Sequence, residues 1–142
     1  MAASESHALP AIDLPDVKAE VEAAFAQYER ALLGNDVEIL DRLFLDAPTT
    51  LRFGGAENLF GYAAIAAFRA ARLPAGLART LEHTVITTFG RDFAVASTLF
   101  RRGSAPGKVG RQMQVWVRTD AGWRVCAAHV SVIDDPQATE AT

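Results

Sequence analysis

The sequence predicts an α+β fold, with helices over one face of a long, curved antiparallel sheet. Three helical patterns come early in the chain and four long strand patterns come late. Elements segregated in this way pack as α+β, whereas alternating strands and helices would build a parallel sheet. The third observation is size: 142 residues, 50 % of them hydrophobic, suffice for one domain with one core.

Residues 1–14 are small and polar and read as an arm without fixed structure; 15–134 form the single domain, and 135–142 read as a loose tail. From Asp16, the apolar residues Val17, Val21, Ala24, Phe25, Tyr28 and Leu32 recur at three- and four-residue steps, the mark of a helix face. Gly34, Asn35 and Asp36 end that helix, and Asp36 caps the next, a short amphipathic one over 37–44. Pro48 stops it. Thr49 to Gly55, TTLRFGG, follows as the first strand. An alanine-rich third helix over 61–73 offers Ile65, Phe68 and Leu73 for burial and ends at Pro74 and Gly76. Strands over 80–90 and 92–102 meet at Gly90-Arg91-Asp92, and strands over 110–119 and 122–133 meet at Asp120-Ala121-Gly122, a hairpin signal. Residues 103–110 are the loop between the two hairpins. A strongly curved sheet under helices makes a cone with a pocket inside.

Net charge is −3, so the basic footprint of a nucleic-acid binder is missing. Twelve arginines stand against two lysines. Arginine offers a planar fork for carboxylates, although a GC-rich genome yields the same skew. The single cysteine, Cys126, lies in an apolar run, allows no internal disulfide and fits a reducing cytoplasm. The N-terminus lacks the basic and apolar regions of a secretory signal. No apolar run approaches the length of a membrane span. Neither a metal-ligand spacing (HExxH, CxxC, HxH) nor GxSxG occurs, and the 103–110 loop lacks the GK[ST] of a phosphate loop.

Several residues are candidates for chemistry. Tyr28 lies on the apolar side of the first helix and points at the sheet. It suits either a core tyrosine or a pocket hydroxyl that donates a proton. Period-two alternation puts Leu51 and Phe53 on one face of the first strand and Arg52 on the other. With Leu51 and Phe53 as the natural core pair, the Arg52 face is solvent in a flat sheet and pocket lining in a curved one. His129 shares a face with Val125, Ala127, Ser131 and Ile133, a mixture suited to a pocket wall or to a structural histidine. Gln112, Gln114 and Trp116 share one face, which fits a polar pocket or a wet dimer interface equally.

The closing stretch GRQMQVWVRTDAGWRVCAAHVSVID resembles the SnoaL-like and kinase-association branch of the NTF2-like superfamily, and the match extends over residues from about 16 to 133. Through AFAQYERALLGND, TTLRFGGAENLFGYAAIAAFRAAR and the closing strands, the chain is most similar to the AtzH/HpxZ group, DUF3225. The resemblance implies an NTF2-like (cystatin-like) cone, its sheet packed against three N-terminal helices. For the AtzH branch it implies a decarboxylating amidohydrolase of cyanuric-acid catabolism that converts 1,3-dicarboxyurea to allophanate; the oxalurate branch looks the same at this level. The functional pair of that branch, a tyrosine on the first helix and an arginine on the first strand, falls on Tyr28 and Arg52. Both would then line one cavity, with Gln114, Trp116, His129 and Ser131 binding and orienting a small carboxylated urea. The expected assembly is a homodimer or tetramer, open to association with an amidase of the same pathway; the location expected is the cytoplasm, and no metal, organic cofactor, nucleic acid or membrane is expected. Two other readings stay open: a non-catalytic carboxylate-binding or oligomerisation module, and another SnoaL-like or ketosteroid-isomerase-like enzyme. The latter needs a pocket base, for which Asp41 and Asp46 are candidates by type, though both are expected near the surface.

Overall fold

The computed structural model describes residues 7–137. Helix α1 (Pro15–Leu33) begins with a proline in its first turn, where a missing N–H costs nothing. Its stripe of Val17, Val21, Phe25, Tyr28, Ala31 and Leu32 is buried. The chain turns through Gly34 and Asn35, the latter left-handed at φ 48°. Asp36 then caps α2 (Val37–Leu43) by accepting a hydrogen bond from the Ile39 amide at 3.2 Å.

Strands β1 (Leu51–Phe53) and β2 (Asn58–Phe60) form a small hairpin that leads into α3 (Tyr62–Ala71). Four long strands follow: β3 (Thr80–Phe89), β4 (Phe93–Arg101), β5 (Lys108–Thr119) and β6 (Gly122–Asp134). They make one open, curved sheet of order β2-β1-β6-β5-β4-β3. The helices cover the face that carries Ala94, Ala96, Trp116, Val125 and Ala128, and these residues form the core with the α1 stripe. The fold is the expected α+β cone.

Four features differ from the sequence reading. First, β1 pairs with β6 in parallel. The chain already runs alongside β6 before β1 begins: Phe44 bridges Val125 in parallel, and the Leu45 amide donates to the Val125 carbonyl at 2.9 Å. Second, β2 was not foreseen, because three residues carry no readable alternation. Third, part of the presumed loose arm is tied down. Ile12 bridges Phe89, and the Asp13 carboxylate accepts from the Thr88 amide at 2.9 Å. Residues 1–6 and 138–142 of the expected arm and tail lie outside the described residues. Fourth, β6 carries a bulge. Val115 pairs with Ala127 and Trp116 with Val125, which leaves Cys126 as the extra residue. Val125 and Ala128 therefore both face the helices, while Ala127 and His129 face away.

Candidate functional site

The parallel register sets Arg52 opposite Ala128, a core residue, so Arg52 faces the helices while Leu51 and Phe53 lie on the outer face. Its side chain is only 12 % exposed. The Arg52 Nη1 donates to Glu57 Oε1 at 2.8 Å, and its guanidinium carbon lies 5.7 Å from the centre of the Phe68 ring. Glu57 reaches back from the β1–β2 turn across Gly54. A Cβ on Gly54 would stand 1.8 Å from Glu57 Oε1, so the glycine makes room for this ion pair.

Arg52 and Glu57 line a cleft of about 360 Å³, whose walls also include Phe68, Arg72, Arg102 and Val130. Arg72 caps the end of α3, four residues after Phe68, and thus falls on the same helix side. Arg102 follows β4, two residues after Phe100. The Phe100 ring has the guanidinium carbons of Arg79 and Arg102 each 4.7 Å from its centre. It fits only because position 110 is glycine: a Cβ there would come within 2.0 Å of the ring.

The cleft walls carry three guanidiniums against one carboxylate. Burial holds Arg72 below the ordinary guanidinium range, and the cations Arg52, Arg69 and Arg102 push the same way. Arg102 is lowered too, first by burial and then by Arg79 and Arg52. Arginine remains charged at neutral pH in either case. Tyr28, 4 % exposed, lies beneath the cleft walls rather than among them, with its ring 6.2 Å from that of Phe44. Its hydroxyl is within electrostatic reach of both Arg72 and Arg102, and both of these also feel Arg52. Arg72 and Arg102 are thus the shared neighbours of the expected functional pair.

Deeper still, Arg79 is clamped by Glu29 through two bonds of 2.9 and 2.7 Å and donates to Gln112 Oε1 at 3.0 Å. The Gln112 amide nitrogen has no acceptor. This buried layer supports the floor of the site.

The remaining expected site residues fall elsewhere. Gln114 and Trp116 do lie on the helix-facing side, but at 1 % and 0 % exposure they belong to the core. The Gln114 oxygen is occupied by the Trp116 indole N–H at 3.2 Å. His129 and Ser131 are not in the cleft. The bulge at Cys126 breaks the alternation that had grouped them with Val125 and places both on the outer face. His129 is exposed there, edge-on to Phe53, and Ser131 accepts from Arg111 Nε at 3.2 Å. Asp41 is held by Arg69 at 2.7 Å and Asp46 is exposed, and neither lines the cleft. Sequence reasoning missed Glu57, Arg72 and Arg102. The arginine excess was the available signal. Helical spacing from Phe68 and strand spacing from Phe100 would have pointed to the last two.

A cleft walled by guanidinium groups suits small anions, above all carboxylates, which match the arginine fork. Among the described residues, no group of three or more His, Cys, Asp or Glu side chains is placed to hold a metal ion. No helix of the structure is long and apolar enough to cross a membrane.

Comparison with known proteins gives consistent results. A family model described as AtzH-like matches residues 10–136. The crystal structure of a DUF3225-family protein of unknown function from Pectobacterium atrosepticum SCRI1043 is 54 % identical, with a TM-score of 0.84 over 87 % of this chain and 95 % of that one. A cystatin-like fold protein from Burkholderia xenovorans LB400 is 48 % identical, with a TM-score of 0.85 over 89 % and 98 %. An NTF2-like superfamily protein from Salmonella enterica serovar Typhimurium LT2, 24 % identical with a TM-score of 0.68 over 89 % and 98 %, shares the fold. Among curated proteins none matches.

Proposed function

Because the chain belongs to the AtzH-like family, we propose that it is a decarboxylating amidohydrolase acting on 1,3-dicarboxyurea or a related N-carboxylated urea. The observation that carries this reading is the cleft itself: Arg52, Arg72 and Arg102 line one cavity, and the Tyr28 hydroxyl is in electrostatic reach of the last two.

In this mechanism a substrate carboxylate binds Arg52 through charge-assisted hydrogen bonds. The bond between nitrogen and the departing carboxyl carbon breaks, its electron pair goes to nitrogen, and CO₂ leaves. The Tyr28 hydroxyl gives its proton to that nitrogen and recovers one from water. The guanidinium groups stabilise the negative charge that develops during bond breaking, and they do so more strongly in a partly dry cleft than in water. General acid help of this kind contributes about 10² to 10⁴ in rate.

The test is turnover of freshly prepared 1,3-dicarboxyurea by wild type, Tyr28→Phe and Arg52→Ala. Tyr28→Phe should lose about 10²-fold or more in kcat, with little change in melting temperature, because no described residue hydrogen-bonds its hydroxyl. Arg52→Ala should raise KM and lower kcat together. Full activity in both variants would sink the mechanism.

A second reading, a non-catalytic carboxylate-binding module, is favoured by the pairing of Arg52 with Glu57 and by the depth of Tyr28. A carboxylate that raises the melting temperature but is never turned over would select it. We further read the outer face of the sheet, with Phe60, Val85, Phe93 and Met113 all more than half exposed, as a self-association surface.

A further inference from the structure

We propose that Arg72 and Arg102 form a second carboxylate subsite beside Arg52, so that the protein binds ligands with two anionic groups in preference to ligands with one. This rests on reading the cleft as a carboxylate site, and it adds residues that the Tyr28–Arg52 pair does not include.

Among the described residues six of the twelve arginines pair with carboxylates, Arg118 with Glu20 and Asp92 among them; Arg30, Arg42, Arg111 and Arg124 do not, but none of these four has a buried donor without an acceptor. Arg69 has Asp41, Arg79 has Glu29, Arg91 has Asp16 and Arg101 has Glu82 and Asp135. Arg52 has Glu57. Among the described residues, Arg72 and Arg102 have no carboxylate partner, and Arg72 Nε, Arg72 Nη2 and Arg102 Nε are buried donors without an acceptor. Each such group costs desolvation free energy that no protein acceptor returns. Both residues line the same cleft, and the Arg102 charge is felt at Arg72, so the two are close enough to act on one ligand.

The geometry also assigns the two ends of a ligand. Arg52 already shares its guanidinium with Glu57, whereas the Arg72 and Arg102 donors are free. One carboxylate would take the open edge of Arg52, and the other would satisfy the orphaned Arg72 and Arg102 groups. Phe68 and Val130 between them keep the cavity partly dry, which strengthens both contacts. Phe100, fixed by Gly110, holds the Arg102 guanidinium in place before the ligand arrives. A single carboxylate can engage only one of these ends.

Calorimetric titration of the full chain with malonate and with acetate tests this. Wild type should bind malonate at least about tenfold more tightly than acetate. Arg72→Gln and Arg102→Gln should each weaken malonate about tenfold, the loss of one charge-assisted contact, and narrow the preference for malonate over acetate. Arg72→Lys and Arg102→Lys keep the charge but lose the fork, and should fall between; they also serve if a Gln variant fails to fold. Unchanged malonate binding in the Arg72 and Arg102 variants, with both ligands lost in Arg52→Ala, would overturn the second subsite and leave the carboxylate reading standing. If wild type binds neither ligand, the carboxylate reading falls and the subsite with it.

Discussion

Glu57 is the residue whose placement most changes how Arg52 must work. Its carboxylate sits at 2.8 Å, where a substrate carboxylate would go, and Gly54 is shaped to let it do so. An incoming anion therefore competes with an internal one. Replacing Glu57 by Gln swaps a charge-assisted bond for a neutral one, a difference of about 1 kcal/mol. Malonate affinity should then rise about fivefold in a calorimetric titration. Weaker binding would mean that Glu57 holds Arg52 in its binding orientation instead of occupying it. At this scale the sequence was partly readable. Alternation along Leu51-Arg52-Phe53 separated the arginine from its neighbours, but the face it occupies follows from pairing with Ala128, seventy-six positions away. Glu57 sits in a turn, where no periodicity speaks for it.

At the scale of elements, the four long strands and three helices follow from period and punctuation. The errors come from places where local period is interrupted by tertiary pairing. The β6 strand is the clearest case. One extra residue, Cys126, reverses the faces of everything before it relative to everything after, so Val125 enters the core and His129 leaves it. Nothing in the letters VCAAHVS marks the bulge. The same strand region contains a packing constraint that was equally hidden: Phe100 of β4 lies against the bare backbone of Gly110 in β5. Gly110→Ala would place a methyl group 2.0 Å from the ring and force it to move. Overpacking of this sort costs about 1 to 3 kcal/mol. Urea unfolding should show that loss, and because Arg102 stacks on the same ring, malonate binding should weaken as well. Unchanged stability and binding would mean that Phe100 does not position Arg102.

At the scale of the molecule, the sheet has two unlike faces. One meets the helices and carries the core, the buried Arg79–Glu29 clamp and the arginine cleft. The other shows a row set by register, Phe53, His129, Met113, Ser97 and Val85, flanked by exposed Phe60 and Phe93. Contiguous exposed apolar surface is a mark of association sites, and we propose that this face pairs with a second copy of the chain. Sedimentation velocity should give a dimer or larger species for wild type and a shift toward monomer for Met113→Glu with Phe93→Asp; a wild-type monomer at all concentrations would contradict this. The cone, and with it the existence of an inner cavity, was legible from element order and from the resemblance of the closing strands. The content of the cavity was not, because Arg72 and Arg102 come from a helix end and a strand end that meet only in the folded chain. The central claim is that this cleft removes a carboxyl group from nitrogen. The most direct measurement is a carbon-13 NMR time course with 1,3-dicarboxyurea labelled in its carboxyl groups. The account predicts labelled bicarbonate and allophanate appearing with wild type, and about 100-fold or more slowly with Tyr28→Phe. Labelled substrate that binds to wild type yet decays no faster than in buffer would contradict it.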